Sequence, residues 1–453
     1  MMTFEREWLS ALALNLVDSY NYSTRRALDK ILDNLGIKSY EIRATTNALL
    51  IETIRRKNII DRLANYVLDK TFQNQDSSYP SLKKLDAKVK NLLRIMIYRL
   101  KFENHQPELV LNTSRQILLE KYSRFIDVFT SWLTLLIDIE IEYIISISDD
   151  FIDQLALQTW EPYFLVKRFQ EVYGENAIQI LEYFKSNSPL FIRINKLKND
   201  IITFNEFKEF NVSLEKDKYF NDVYKVLKSD VPMARLEGFK NGFFYIQSRS
   251  SSMISYFLDP KEGEVILDAC SAPGSKTTHI ASLTNNKSIL IALEIDINRS
   301  KTLKQTLNRC GVESVEIVTG DARDQIFESN KRFDKILLDA PCSGSGTLST
   351  KPHAKWRIKN SLIKKYAQLQ FEIISNISKY LKKDGILLYS TCSLLPEENE
   401  DVIEKFLDKN KDFESIDLPY TEIGRKISFK GKRLIPHEVD SEGFSLFLLK
   451  RHS

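Results

Sequence analysis

Residues 264–276 read EVILDACSAPGSK: a short apolar run that ends on Asp268, then turns through small residues to Lys276. Four more short runs follow, SILIALEID (288–296), SVEIVTGD (314–321), FDKILLDAP (333–341) and GILLYSTCS (385–393), with longer amphipathic stretches between them. Such alternation predicts a mostly parallel sheet covered by helices on both faces. Open sheets of this kind bind ligands at the carboxyl ends of their strands. The residues just after each run are therefore the candidates for chemistry. The expected fold class is α/β, with a Rossmann-like domain over 251–453.

Upstream the period is different. From Thr3 to about Asp150 apolar residues recur every three or four positions, as in the stripe Leu85, Val89, Leu92, Leu93, Met96, Ile97 and Leu100. An all-α domain is expected over 1–150. Lys83, Lys84, Lys88, Lys90, Arg94, Arg99 and Lys101 decorate the same stretch, either as a solvated face or as a surface for RNA. The polar segment Gln73–Ser81 reads as a loop. Between 151 and 250 helix-like runs give way to strand-like ones (PLFIRINKL, GFFYIQ), which predicts linker helices and a small α+β subdomain.

The chain has 453 residues, 43% hydrophobic and 28% charged, and a net charge of +4 that neither demands nor excludes nucleic acid. The most apolar stretch, Phe125–Ile145, is interrupted by Asp127, Asp138, Glu140 and Glu142, so a buried helix is expected there and no membrane span. The N-terminus lacks a signal-peptide core, and a cytoplasmic monomer is the expectation. The four cysteines, Cys270, Cys310, Cys342 and Cys392, are 40, 32 and 50 residues apart and fit no zinc pattern. No metal and no disulfide is expected, and Cys310 reads as a buried hydrophobe.

At the first strand end, Cys270, Ser271, Ala272, Pro273, Gly274, Ser275 and Lys276 form a turn that brings backbone N–H groups close to a ligand. It is neither a phosphate-binding loop nor the dinucleotide G-x-G-x-x-G. The second run ends in Glu294, followed by Asp296, where an acid can accept from ribose hydroxyls. The third ends in Asp321, where an acid can meet an adenine amino group. Acids at successive strand ends behind a small-residue loop fit a nucleoside cofactor without a phosphate cradle, which describes S-adenosylmethionine.

The fourth and fifth runs end in Asp339-Ala-Pro-Cys342-Ser-Gly-Ser-Gly and Tyr-Ser-Thr-Cys392-Ser. Two cysteines and an acid near one sheet edge suit methylation at C5 of cytosine. That carbon is a poor nucleophile until a thiolate adds to C6. Addition is helped by a proton or hydrogen bond at N3. Positive charge near the thiol promotes its ionisation, and Lys276 and Lys355 are candidates for it.

These motifs resemble the Sun/RsmB-type RNA (cytosine-5) methyltransferases that carry an N-terminal NusB-like domain. DACSAPGSKTTHIA, ALEIDINRS and GDARD are similar to the cofactor segments of that family. DAPCSGSGTL with KPHAKWR, and YSTCSLLPEENEDVI, are similar to its two cysteine motifs. RLIPHEVDSEGFSLFLLK resembles its closing motif, and SPLFIRINKLK its pre-catalytic RNA-binding segment. The resemblance implies that Cys392 is the nucleophile, that Cys342 assists product release and that Asp339 contacts the N3/N4 edge of the base. It also implies that Glu294 and Asp321 hold the ribose and adenine, and that Cys270–Lys276 wrap the methionine end, with Asp339 bordering the cofactor. Small-subunit ribosomal RNA is the implied substrate, with transfer RNA as the alternative. Three positions depart from the family pattern: Ser275 for a glycine, Glu294 for an aspartate, and His353 for an acid, read as a surface histidine beside the cleft. A serine at 275 is strained if that position needs positive φ.

Arg193, Lys196, Lys198 and Arg249, with Phe243, Phe244 and Tyr245, are candidates for phosphate contacts and base stacking. Two other readings remain open. A DNA cytosine methyltransferase would use the P-C cysteine as nucleophile, and would be separated by comparing RNA with DNA substrates. An RNA-binding assembly factor with a decayed site would not bind S-adenosylmethionine.

Overall fold

The computed structural model describes residues 5–72, 85–103, 105–198, 201–328 and 330–452. The loop expected at Gln73–Ser81, Lys83 and Lys84 lie outside them. Two compact units emerge, Met1–Lys185 with Lys351–Arg357, and Ser186–Thr350 with Ile358–Ser453. The helical unit thus extends to Lys185 rather than ending near 150. The second unit takes in both the small and the large sheet, which the sequence reading assigned to separate regions.

Among its described residues the first unit is all-α, with eleven helices from Glu5 to Lys185. The helix Ala87–Lys101 begins on Asp86, whose carboxylate accepts from the N–H groups of Lys88 and Val89. Its apolar stripe, Val89 to Leu100, is buried as expected. Arg94 and Arg99, however, are buried too. Arg94 pairs with Asp61 (2.6 Å) and Asp18 (2.8 Å), and Arg99 with Glu7 (2.7 Å). Lys101 donates to Ile137 O. This helix is buried nearly all round, so these cations serve the core and not an RNA surface. The apolar run after Phe125 breaks into two helices, Ile126–Leu136 and Ile141–Ser146. No helix among the described residues is long and apolar enough to cross a membrane.

The second unit begins with a small antiparallel sheet. Its strands are β1 (Phe191–Ile194), β2 (Ser213–Lys216), β3 (Val223–Lys228) and β4 (Phe244–Ile246), in the order β2-β3-β1-β4. The large sheet contains β5 (Val265–Asp268), β6 (Ile289–Glu294), β7 (Val315–Thr319), β8 (Phe333–Asp339) and β9 (Leu381–Thr391). It also contains β10 (Phe413–Ile416), β11 (Arg425–Lys426), β12 (Lys432–Leu434) and β13 (Phe444–Arg451). Strands β7-β6-β5-β8-β9 lie parallel in that order, and β13 closes against β9 antiparallel. The order reverses between β5 and β8. At such a switch point the loops leaving two adjacent strands diverge to opposite faces and open a crevice at their carboxyl ends. Ile266, Leu267, Ile336, Leu337, Leu387 and Leu388 bury both faces of the sheet beneath it.

Candidate active site

The register of β8 against β9 explains why the two cysteines meet. Asp339 lies beside Ser390, and Ser390 Oγ donates to Asp339 Oδ1 at 2.8 Å. Cys342 stands three residues beyond one member of this pair and Cys392 two beyond the other. Their loops are then held together by backbone: Gly346 N donates to Cys392 O (2.9 Å) and Gly443 N to Gly346 O (2.8 Å). A side chain at 346 would meet Gly443 O at 2.3 Å, so only glycine permits this approach. The Cys342 and Cys392 sulfurs end 3.2 Å apart, both partly accessible and unbonded. Contact with Cys392, then burial, then the negative charges of Glu398 and Asp339 push the Cys342 thiol well above its ordinary value.

Across the switch point, Lys276 comes from the first turn of the helix Ser275–Leu283. Its ammonium meets Asp339 Oδ2 at 2.7 Å and Ser251 Oγ at 3.0 Å. Burial opposes its charge, but Asp339 outweighs burial and raises its pKa, with Asp268 and Cys392 adding to the effect. Lys276 is therefore the cation of the site. Lys355 is not: it belongs to the helical unit, where it pairs with Glu161 (2.9 Å) and donates to Arg55 O and Trp160 O.

The loop from Asp268 to Lys276 fits a nucleoside cofactor. Gly274 has φ +106°, and a Cβ there would press on Leu303 and Thr306. Ser275 begins the helix and is absent from the positive-φ positions, so the strain considered for this serine does not arise. Asp268 is buried, and one of its oxygens accepts from Thr277 Oγ1 at 2.7 Å. The other has no partner among the described residues. Burial raises this carboxyl to about 6. A buried oxygen left unsatisfied is costly, and a donor on a ligand would relieve it. Cys270 is half-buried beside it, with its thiol raised by burial and by the surrounding carboxylates.

At the end of β6, Glu294 is buried and accepts from Ala272 N (3.3 Å) and Asp296 N (3.1 Å). Arg299 bridges Glu294 and Ala272 O, tying the second strand end to the first loop. Ser271 N donates to Leu293 O, which fixes the same two segments. At the end of β7, Asp321 is held by the guanidinium and backbone N–H of Arg323, which lower its pKa. The three acids thus stand at the ends of β5, β6 and β7, in strand order.

Other expected residues lie elsewhere. Arg193 is buried and bonds Gln247, Ser275 O and Thr278, where it braces the Lys276 helix and cannot reach a phosphate. Arg249 pairs with Asp217 and donates to Val439 O. Phe244 is core, whereas Phe243 and Tyr245 are half-buried. Lys198 donates to Asn241 O and Arg309 O, and Lys196 remains half-exposed. His353 is half-buried in the helical unit and not on an open surface; burial lowers it to about 4. Cys310 is a buried hydrophobe, as expected. Asp268, Ser390 and Arg299 had no role in the sequence reading. Only the acid at the end of β5 left a signal there.

Comparison with known proteins agrees with this geometry. A family model described as 16S rRNA methyltransferase RsmB/F matches residues 255–450. A Bacillus subtilis protein named probable ribosomal RNA small subunit methyltransferase B is 30% identical over 439 residues, which cover 94% of this chain and 95% of that one. The crystal structure of PH0851 shares the fold with a TM-score of 0.80 at 23% identity, covering 99% of this chain and all of its own. The NSun6 protein of Pyrococcus horikoshii, solved with an S-adenosylmethionine analogue, matches with a TM-score of 0.59 and 25% identity, over 64% of this chain and 98% of its own. The chain belongs to the RsmB/F family of S-adenosylmethionine-dependent RNA methyltransferases.

Proposed function

We propose that the protein forms 5-methylcytosine in small-subunit ribosomal RNA through a transient bond between Cys392 and C6 of the base. The observation that carries this reading is the 3.2 Å approach of the Cys342 and Cys392 sulfurs beside Asp339. The names of its relatives support the RNA class. An unstacked cytosine is required, because C6 is unreachable within a helix.

The thiol of Cys392 gives up its proton to solvent and its sulfur bonds to C6. The C5–C6 π electrons form a C4–C5 double bond and the C4–N3 π pair shifts onto N3, which takes a proton or strong hydrogen bond from the Asp339–Lys276 pair. S-adenosylmethionine, when bound, supplies an electrophilic methyl group. Glu294 and Asp321 would hold its ribose and adenine, and Cys270–Lys276 its methionine end. After C5 is methylated, the C5 proton passes to solvent with the assistance of Cys342. The C6–sulfur bond then breaks, the double bond re-forms and Cys392 is released.

The test is transfer of tritium from labelled cofactor to RNA. Cys392→Ala should abolish transfer, and Cys342→Ala should accumulate a denaturation-resistant RNA–protein adduct. An adduct-free, inactive Cys342→Ala enzyme beside an adduct-forming Cys392→Ala enzyme would overturn the assignment. Small-subunit ribosomal RNA should be methylated in preference to transfer RNA and DNA.

A further inference from the structure

Each catalytic-loop cysteine is followed by a serine, and both serines converge on one acid. Glu398 is fully buried. Its Oε1 accepts from Ser343 N at 2.7 Å and from Gln370 Nε2 at 3.3 Å. Its Oε2 accepts from Ser343 Oγ at 2.5 Å and from Ser393 Oγ at 2.6 Å. No lysine or arginine forms an ion pair with it among the described residues. A buried carboxylate without a counter-ion is costly and is tolerated only when its lone pairs are filled. Here four donors fill them, and three come from residues adjacent in sequence to the two cysteines.

The surroundings make the carboxylate the centre of a wider clamp. Its own carbonyl accepts from the buried Tyr389 hydroxyl at 2.7 Å, which ties it to β9. The next residue, Asn399, donates to Ser393 O and Leu395 O, and its side-chain oxygen accepts from Thr391 Oγ1. Ser345 Oγ lies 3.0 Å from Ser393 Oγ and accepts from Leu394 N. These bonds link the segment 343–346 to the segment 391–395, so a displacement of either moves the other.

We infer that Glu398 is a positioning residue for the two-cysteine reaction: by bonding Ser343 and Ser393 at once, it sets the distance between the Cys342 and Cys392 sulfurs. The inference rests on the proposed roles of those cysteines, but its geometry can be tested without RNA. Diamide oxidises two thiols to a disulfide; two electrons and two protons pass to its N=N bond, giving the hydrazine. Two sulfurs already in contact need only a small movement to reach a bond of about 2.05 Å.

The experiment follows Cys342–Cys392 disulfide formation by mass spectrometry in the full chain treated with diamide. Glu398→Ala, Glu398→Gln and Ser343→Ala/Ser393→Ala variants are compared, and S-adenosylmethionine binding reports folding. The wild type should cross-link readily. Glu398→Ala and the double serine variant should cross-link about tenfold more slowly while still binding cofactor, because a displacement near 1 Å is enough for such a loss. Glu398→Gln, which keeps most acceptor positions, should recover most of the rate. Unchanged cross-linking in Glu398→Ala would overturn the inference. So would equal loss of cross-linking and cofactor binding in all three variants, which would mark Glu398 as a general stabiliser. A failure of the cysteine roles would appear instead as wrong adduct behaviour in Cys392→Ala and Cys342→Ala, with cross-linking intact.

Discussion

Lys276 and Asp339 meet at 2.7 Å across the switch point of the sheet, one from the helix after β5 and the other from the end of β8. This ion pair joins the loop that follows β5 to the end of β8. Ser390 occupies the other oxygen of Asp339, so the carboxylate is fixed from two sides. Replacing Lys276 by Met removes the cation but leaves the Asp339 carboxylate in place. The expected result is a fall in kcat of about 10²–10⁴-fold, the usual range for a lost acid–base group. Cofactor affinity should fall by much less than kcat, because the backbone of the loop proposed to hold the methionine end is untouched. Rapid-quench methylation assays beside an independent binding isotherm would check it.

Gly346 is where the two cysteine loops touch. Its missing side chain lets Gly443 O approach, and Cys392 O lies 2.9 Å from the place a Cβ would take. Both neighbours are backbone atoms, so neither can rotate away. Gly346→Ala should cost about 1–3 kcal/mol in urea unfolding, the range for overpacking. It should also lower kcat, because the Cys392 loop must shift to make room.

Asp268 gives the cofactor-free protein a pH dependence of defined sign. Burial raises its carboxyl from the ordinary 3.8 to about 6. Between those values the folded chain holds more protons than the unfolded one, so stability falls as pH rises through this window. The full effect is about 3 kcal/mol. Asp268→Asn removes it. The difference in stability between wild type and variant, measured by urea unfolding from pH 4 to 7, should therefore change against the wild type as pH rises. A flat difference would show that the carboxyl titrates normally.

Within the helical unit, Lys355 and Glu161 form a pair that is 1% exposed on each side. Lys355 also satisfies Arg55 O and Trp160 O, and its neighbour Trp356 donates to Ile54 O. Lys355→Met alone should destabilise by about 3–5 kcal/mol, since it strands a buried carboxylate. Adding Glu161→Met should recover part of that loss. A double-mutant cycle in urea would read the coupling.

The α/β alternation after Glu264, the helical periodicity before 150 and the strand-end positions of Asp268, Glu294, Asp321, Asp339, Cys342 and Cys392 were all legible in the chain. Each rests on local pattern: apolar runs of strand length, and loops that must follow them. Long-range pairing was not legible. Nothing in the spacing of Arg94, Arg193, Arg249 or Lys355 separates a cation that faces solvent from one that closes a buried network. That depends on which carboxylates and carbonyls the fold brings near, and here it brings Asp61, Thr278, Asp217 and Glu161.

The order of residues along the chain by itself determined that two cysteines and an acid stand at the tips of strands in an α/β domain. Periodicity and composition act over a few residues, and that range suffices to make strands and helices. Only the tertiary structure decided that β8 lies beside β9 in a register that aligns Asp339 with Ser390, that Lys276 serves the site while Lys355 does not, and that one buried acid gathers both cysteine loops. Those outcomes depend on desolvation and on hydrogen-bond partners far apart in the chain, 51 positions for Ser390 and Asp339, 55 for Ser343 and Glu398 and 194 for Lys355 and Glu161, and no local pattern carries that information.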